Sequence, residues 1–222
     1  MGTPAFGIFA MLLSVVAMFL GTVGAIHALL KQKGDLLRAI LIGAAIWVAA
    51  YLAILVTASA LSRGRVLGLG ERKAFCGFYL DCHLGATVER IDTARTIDAP
   101  PHQLTADGTY WIVTVRVSSN ARRASLALLE PSVTAVDDLG REYSRSPAAE
   151  RTLGDTASLD RKLAPGESVV RRVVFALPRG ARRPQLRFTE GYWIDHILEL
   201  LLIGDEDSLL HGRTTFALGS AA

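Results

Sequence analysis

The sequence predicts a membrane-length helical hairpin at the N-terminus followed by an all-β antiparallel sandwich. Three observations carry that fold class. Two long uncharged apolar runs occupy the first 61 residues. Beyond them the hydrophobic period changes from runs to alternation. Turn-forming residues then recur at short intervals, with no convincing amphipathic helix between them.

The helices come first. Ala5 to Leu30 and Ala39 to Leu61 carry no charged residue, and each exceeds the roughly 20 apolar residues that cross about 30 Å of hydrocarbon as a helix. Half of the 222 residues are hydrophobic, and the mean hydropathy of +0.32 is high for a soluble domain of this length. A cleaved signal peptide is the rival for the first run, but "MGTPAFG" supplies no basic residue and the run is longer than a signal's apolar core. The expected division is therefore a hairpin over residues 1–65 and a β-domain over residues 66–222.

Small residues recur every fourth position on both helices: Ala17, Gly21 and Ala25 on the first, and Ala45, Ala49, Ala53 and Thr57 on the second. Such stripes allow close helix contact in lipid, either with each other or with another subunit. The short loop makes the two helices antiparallel neighbours, so the expectation is that the stripes meet. His27, near the loop end of the first run, reads as interfacial rather than as a proton relay. The loop "KQKGDLLR" holds Lys31, Lys33 and Arg38 while the N-terminal segment holds no basic residue. Short-loop charge thus puts the loop in the cytoplasm and both ends outside. Arg63, Arg65, Arg72 and Lys73 count the other way, but long domains translocate with little regard to charge.

The β-domain follows. In "TYWIVTVRVSS", Trp111, Val113, Val115 and Val117 alternate with Ile112, Thr114, Arg116 and Ser118, which is a half-buried strand. "SVTAVDDLGREYS" reads as strand, tight turn at Asp137-Asp138-Leu139-Gly140, and returning strand. "LAPGESVVRRVVFALP" places a Pro165-Gly166 turn before a β-branched run. Shorter strand candidates are Ala74 to Tyr79, Ala86 to Ile91, Gln185 to Thr189, Ile197 to Ile203 and Thr214 to Leu218. The net charge of +3 resides mostly in the helical loop, and the nearly neutral domain offers no electrostatic footprint for nucleic acid.

The succession "YWIVTVRVSSN", "VTAVDDLGREY" and "LAPGESVVRRVVFALPRGARRPQLRF" resembles the immunoglobulin-like domains of unknown function in bacterial membrane-anchored and lipoprotein-type extracytoplasmic proteins. The resemblance covers residues 108–190, and its most specific element is the run from Leu163 to Pro178. The flanks "FCGFYLDCHLG" and "LLIGDEDSLLH" resemble those of uncharacterised bacterial proteins in which two helices precede such a domain. It implies an immunoglobulin-like sandwich on the periplasmic side of a bacterial inner membrane, and no catalytic residues.

"FCGFYLDCH" holds both cysteines, Cys76 and Cys82, with His83 next in line. Covalent haem needs two intervening residues, not five. A fully extended strand would hold the two Cα atoms about 20 Å apart, whereas a disulfide needs about 7 Å or less. A bond therefore requires a reversal at Gly77 or near Leu80-Asp81. In an oxidising compartment the pair is expected to be bonded. Reduced structural thiols are one alternative. A copper(I) or zinc site of Cys76, Cys82 and His83 is the other, with His102 and His196 free to complete it. "GDEDSLLH" gathers Asp205, Glu206, Asp207, Ser208 and His211, but lacks the alternating ligands and distant Glu of a calcium loop and reads as a capped turn. Arg122-Arg123, Arg171-Arg172 and Arg179, Arg182, Arg183 and Arg187 read as solvated faces, or as a patch for an acidic protein partner or anionic headgroups. No serine elbow, phosphate loop or paired-carboxylate motif is visible.

The function expected from these residues is binding rather than chemistry. The chain reads as an accessory or assembly subunit without a cofactor, held in the bilayer and docked on other membrane-protein subunits, with no nucleic-acid partner. An electron-transfer complex is one kind of host, and no residue selects it. A metal or redox module at the cysteines and an extracytoplasmic ligand sensor are the alternatives.

Overall fold

The computed structural model describes residues 4–77, 81–99, 102–155 and 158–219. Two helices, α1 (Pro4–Leu30) and α2 (Gly34–Leu61), form an antiparallel hairpin. Both are long and apolar enough to cross a membrane, and only 6% of each span is buried within the chain. Phe9, Phe19, Ile46 and Leu52 all point outward.

Within the hairpin a large side chain of α2 packs where α1 has a glycine. Gly24 lies against Ile40, whose Cδ1 is 3.2 Å from the place a Cβ would take. Ala28 and Leu55 are buried, and Trp47 Nε1 donates to Ser14 Oγ at 3.1 Å. Ala17, Gly21 and Ala25 are half-buried, but Ala45, Ala49, Ala53 and Thr57 are exposed. The expected meeting of two small-residue stripes is corrected: Ala45, Ala49, Ala53 and Thr57 are exposed, and Gly24 of α1 meets Ile40 instead.

The sandwich unit comprises residues 65–192 and 214–222 by compactness. Its strands are β1 (Arg65–Leu67), β2 (Arg72–Gly77), β3 (Asp81–Ala99), β4 (His102–Ser119), β5 (Ser132–Val136) and β6 (Glu142–Tyr143). A short helix, α3 (Pro147–Thr152), precedes β7 (Ser168–Leu177), β8 (Gln185–Thr189) and β9 (Thr214–Ala217). One sheet has the order β1-β9-β8-β5-β6 and the other β2-β3-β4-β7. All pairings are antiparallel except β1 with β9. The facing sides share one core, with Val88, Val113, Val115, Val173 and Phe175 opposite Ala135, Leu186, Phe188 and Phe216.

The expected strands at Gln185 to Thr189 and Thr214 to Leu218, the β5–β6 turn and the Pro165-Gly166 turn lie where the sequence puts them, with Gly140 and Gly166 at φ of 75°. Ala86 to Ile91 is the middle of a much longer strand. Beyond Thr109, where β7 stops pairing, β3 and β4 continue as a two-stranded arm to Ala99 and His102. α3 supports the base of that arm through a second cluster of Ile97, Tyr110, Ala149 and Val174.

Ile197 to Ile203 is not a strand. Residues 193–213 leave the sandwich between β8 and β9 and belong to the helical unit. They begin with α4 (Trp193–Glu199) and continue as turns to His211. The β-domain is therefore interrupted rather than continuous over residues 66–222.

Candidate interaction surfaces

The hairpin of β2 and β3 carries the cysteines. Gly77 pairs with Asp81 and Phe75 with Leu84, so the strands hold Cys76 and Cys82 opposite each other. Their Cα atoms are 4.0 Å apart and the sulfurs are bonded. Residues 78–80, where the expected reversal falls, lie outside the described residues. With the sulfurs bonded to each other neither is a thiolate, and the set Cys76, Cys82 and His83 has no sulfur ligand to offer a metal. His83 instead serves the strand end: its Nδ1 is 2.8 Å from Asn120 Oδ1, and its carbonyl accepts from Asn120 N at 2.9 Å and Arg72 Nη2 at 3.1 Å. The side chain of His102 lies outside the described residues.

The buried charges of the sandwich are structural. Asp137 accepts from the backbone N–H of Leu139 and Arg141 at 3.0 Å each. It also accepts from Arg141 Nε at 2.7 Å and the Tyr143 hydroxyl at 2.9 Å. Burial would raise its pKa, but the Arg141, Tyr143 and Leu139 hydrogen bonds outweigh it and hold the carboxyl at about 2. Burial likewise opposes ionisation of Glu150, yet the Arg145 guanidinium, the Val174 N–H and Arg171 keep its pKa below the ordinary value. Arg145 grips both of its oxygens at 2.8 and 2.5 Å, and Arg171 adds a contact at 3.0 Å. Lys73 Nζ donates to the carbonyls of Phe188 at 2.9 Å and Thr214 at 3.4 Å. That bond ties the edge of one sheet to the other.

Acidic partners occupy part of the arginine runs. Arg171 belongs to Glu150, Arg172 lies 3.5 Å from Asp155, and Arg187 pairs with Glu142. Arg122, Arg123, Arg179, Arg182 and Arg183 are exposed. They divide between the two ends of the sandwich: the first two follow β4, whereas the last three stand on the β7–β8 connection beside the Asp137 turn, where Asp138 N donates to Arg182 O at 3.1 Å. They do not merge into one patch of the expected kind.

The polar cluster near residue 205 folds against the helices. Asp207 N donates to Asp205 Oδ1 at 2.8 Å, the capped turn the sequence predicts. His196, Glu199 and Asp207 bring their ligand atoms within 4.8 Å of one another. His196 Nδ1 is already 3.0 Å from Glu199, and Asp207 is 3.6 Å from Arg213 Nε. The returning chain is anchored along the hairpin. Tyr51 Oη donates to Leu201 O at 2.6 Å, Ser59 and Ser208 hydroxyls are 2.9 Å apart, and Gly212 N donates to Ser62 Oγ at 2.7 Å. A Cβ on Gly7 would overlap the Ile203 carbonyl, and one on Gly212 would overlap the Gly64 backbone. None of these anchors is predictable from spacing, because partners such as Tyr51 and Leu201 are 150 positions apart.

No family model and no curated protein matches the chain. Among solved structures it is similar to MPT63, a secreted protein from Mycobacterium tuberculosis, at 16% identity and a TM-score of 0.42, over 69% of this chain and 97% of that one. It is also similar to a conserved hypothetical protein from Bacillus anthracis, at 18% identity and a TM-score of 0.42, over 55% of this chain and 93% of that one. An uncharacterized beta-sandwich protein from Clostridium difficile 630 shows 11% identity and a TM-score of 0.40, over 71% of this chain and 96% of that one. At these scores the likeness adds nothing to the argument from the strands themselves.

Proposed function

We propose that the chain is a non-catalytic accessory or assembly subunit of a membrane complex. In this reading the two helices span the bacterial inner membrane, and the sandwich, immunoglobulin-like in its pairing, stands on the periplasmic side. The observation that carries the reading is the outward stripe of α2: Ala45, Ala49 and Ala53 are exposed and lie off the contact with α1. A second helix is more than a tether needs, and small residues on its free face suit close approach by another subunit's helix. The pairing of β3-β4-β7 and of β5-β8-β9 supports the immunoglobulin-like scheme, in which strands A, B and E lie in one sheet and C, F and G in the other.

The test is copurification from membranes solubilised in a mild detergent. A stoichiometric membrane partner is expected, and Ala49→Leu should release it while the hairpin still folds. A stable monomer with no neighbour crosslinked to either helix in native membranes would reject the reading.

A further inference from the structure

Among the described residues, 193–213 hold the largest concentration of exposed apolar side chains outside the hairpin. Trp193 is 71% exposed and Leu210 68%. Ile194, Ile197, Leu198 and Leu201 are exposed as well. On α4 and just beyond it, Trp193, Ile194, Ile197, Leu198 and Leu201 recur at helical spacing on one face. Asp195, His196 and Glu199 take the other face, where His196 and Glu199 gather with Asp207. That is the pattern of a helix lying in a membrane interface, apolar side toward the acyl chains. A soluble surface seldom leaves so much contiguous apolar area uncovered.

What covers it follows from its attachment. Tyr51 lies ten residues before the end of α2 at Leu61, about 15 Å along the axis at 1.5 Å per residue. Its hydroxyl bonds the Leu201 carbonyl. At the facing end of α1, Gly7 receives the Ile203 carbonyl against its bare Cα. The loop after α4 therefore runs down the hairpin to the level of its apolar side chains, rather than staying at its rim. Irregular backbone is tolerated at membrane depth only where it is buried in protein or lines water, and Leu202 and Ile203 are buried, at 3% and 6% exposure. The Tyr51 hydroxyl satisfies the Leu201 carbonyl, and the turn satisfies other groups itself, with Leu201 N donating to Leu198 O and Leu202 N to Glu199 O at 3.0 Å each and Leu209 N to Leu200 O at 3.2 Å.

We infer that residues 193–203 form a re-entrant segment held in one leaflet of the bilayer, with α4 in the interface, the turn at Leu200 to Ile203 seated against the hairpin at the level of its apolar side chains, and Asp205, Glu206 and Asp207 at the aqueous margin. Lipid, not a protein, covers its apolar face. The inference rests on the reading of α1 and α2 as membrane-spanning.

The chain's three tryptophans, Trp47, Trp111 and Trp193, allow the two readings to be separated. Three full-length variants, each keeping one tryptophan and replacing the other two by Phe, are placed in nanodiscs of phosphatidylcholine with or without brominated acyl chains. Bromine should quench Trp47 on α2 and Trp193 on α4 at least about twofold and leave Trp111 in the sandwich unchanged. Quenching of Trp47 without Trp193 would overturn the re-entrant segment and leave the spanning helices standing. Absence of quenching at Trp47 would overturn both. Because Trp193→Phe or Trp47→Phe could disturb packing, a nitroxide on Leu198→Cys gives an independent reading. Greater relaxation by oxygen than by a water-soluble nickel complex is expected, and the reverse would reject lipid as the cover.

Discussion

Asp137 carries the clearest pH signature in the sandwich. Its carboxyl is held at about 2, below the ordinary 3.8, so between those values the unfolded chain binds the proton more readily than the folded one. The stabilisation is complete above about pH 4 and is lost as pH falls through the folded value. Near-UV circular dichroism of thermal unfolding in detergent should show a melting temperature that is flat from pH 7 to 5 and falls between 4 and 2. Asp137→Asn should melt lower at neutral pH and show a shallower acid slope; an unaltered slope would assign the acid sensitivity to other groups. Glu150 makes a separate prediction. Replacing it with Ala leaves Arg145 and Arg171 facing each other without their shared acid, at a cost of about 3 kcal/mol, the low end for a broken buried pair because both guanidiniums retain some contact with water. Denaturant titration of Glu150→Ala checks the value, and a loss below about 1 kcal/mol would mean that the two arginines find water instead.

Among the elements, the β2–β3 hairpin and α2 make opposite kinds of prediction. The bond between Cys76 and Cys82 closes a short loop, which in the chain-entropy picture stabilises by about 2 kcal/mol. The double Ser variant should lose that amount in denaturant titration, and thiol labelling of the unreduced, denatured wild type should find no reactive group. On the helices, Gly24→Leu should disrupt the hairpin, because Ile40 already crowds that position, whereas Ala49→Leu adds bulk to an exposed face. Intramolecular crosslinking of α1 to α2 distinguishes them: Gly24→Leu should lose the crosslink and Ala49→Leu should keep it. Helix lengths, the alternation of β4 and the turns at Gly140 and Gly166 were legible because periodicity and turn chemistry act locally. The face that α2 turns inward was not, because it depends on the fit of Ile40 into Gly24 rather than on a stripe. "HILELLLIG" was misread as a strand because a short apolar run has the same composition whether it is helical, extended or lipid-facing. Of the interaction surfaces, the cysteine pair and the Asp205 turn were visible in the sequence; the anchors at Tyr51, Ser59 and Gly7 are long-range and left no local trace.

At the scale of the whole molecule, the proposed periplasmic placement predicts that trypsin added to intact spheroplasts cleaves near the exposed Arg122 and Arg123. Protection until lysis would put the sandwich in the cytoplasm and remove the oxidising setting that favours the Cys76–Cys82 bond. The order of strands has a consequence in time. β9 is synthesised after every other strand, yet it fills the place between β1 and β8. While the ribosome is still making residues 193–213, β1 has no partner, and the edge of β8 that will receive β9 is open. The first sheet cannot close until β9 has emerged. Its last gap is sealed only after a strongly apolar stretch has emerged, so the nascent chain passes through a stage with an open β-edge beside sticky sequence, a state prone to aggregation. Released chains truncated near residue 213 should be the most dependent on holdase chaperones, and restoring β9 should end that dependence.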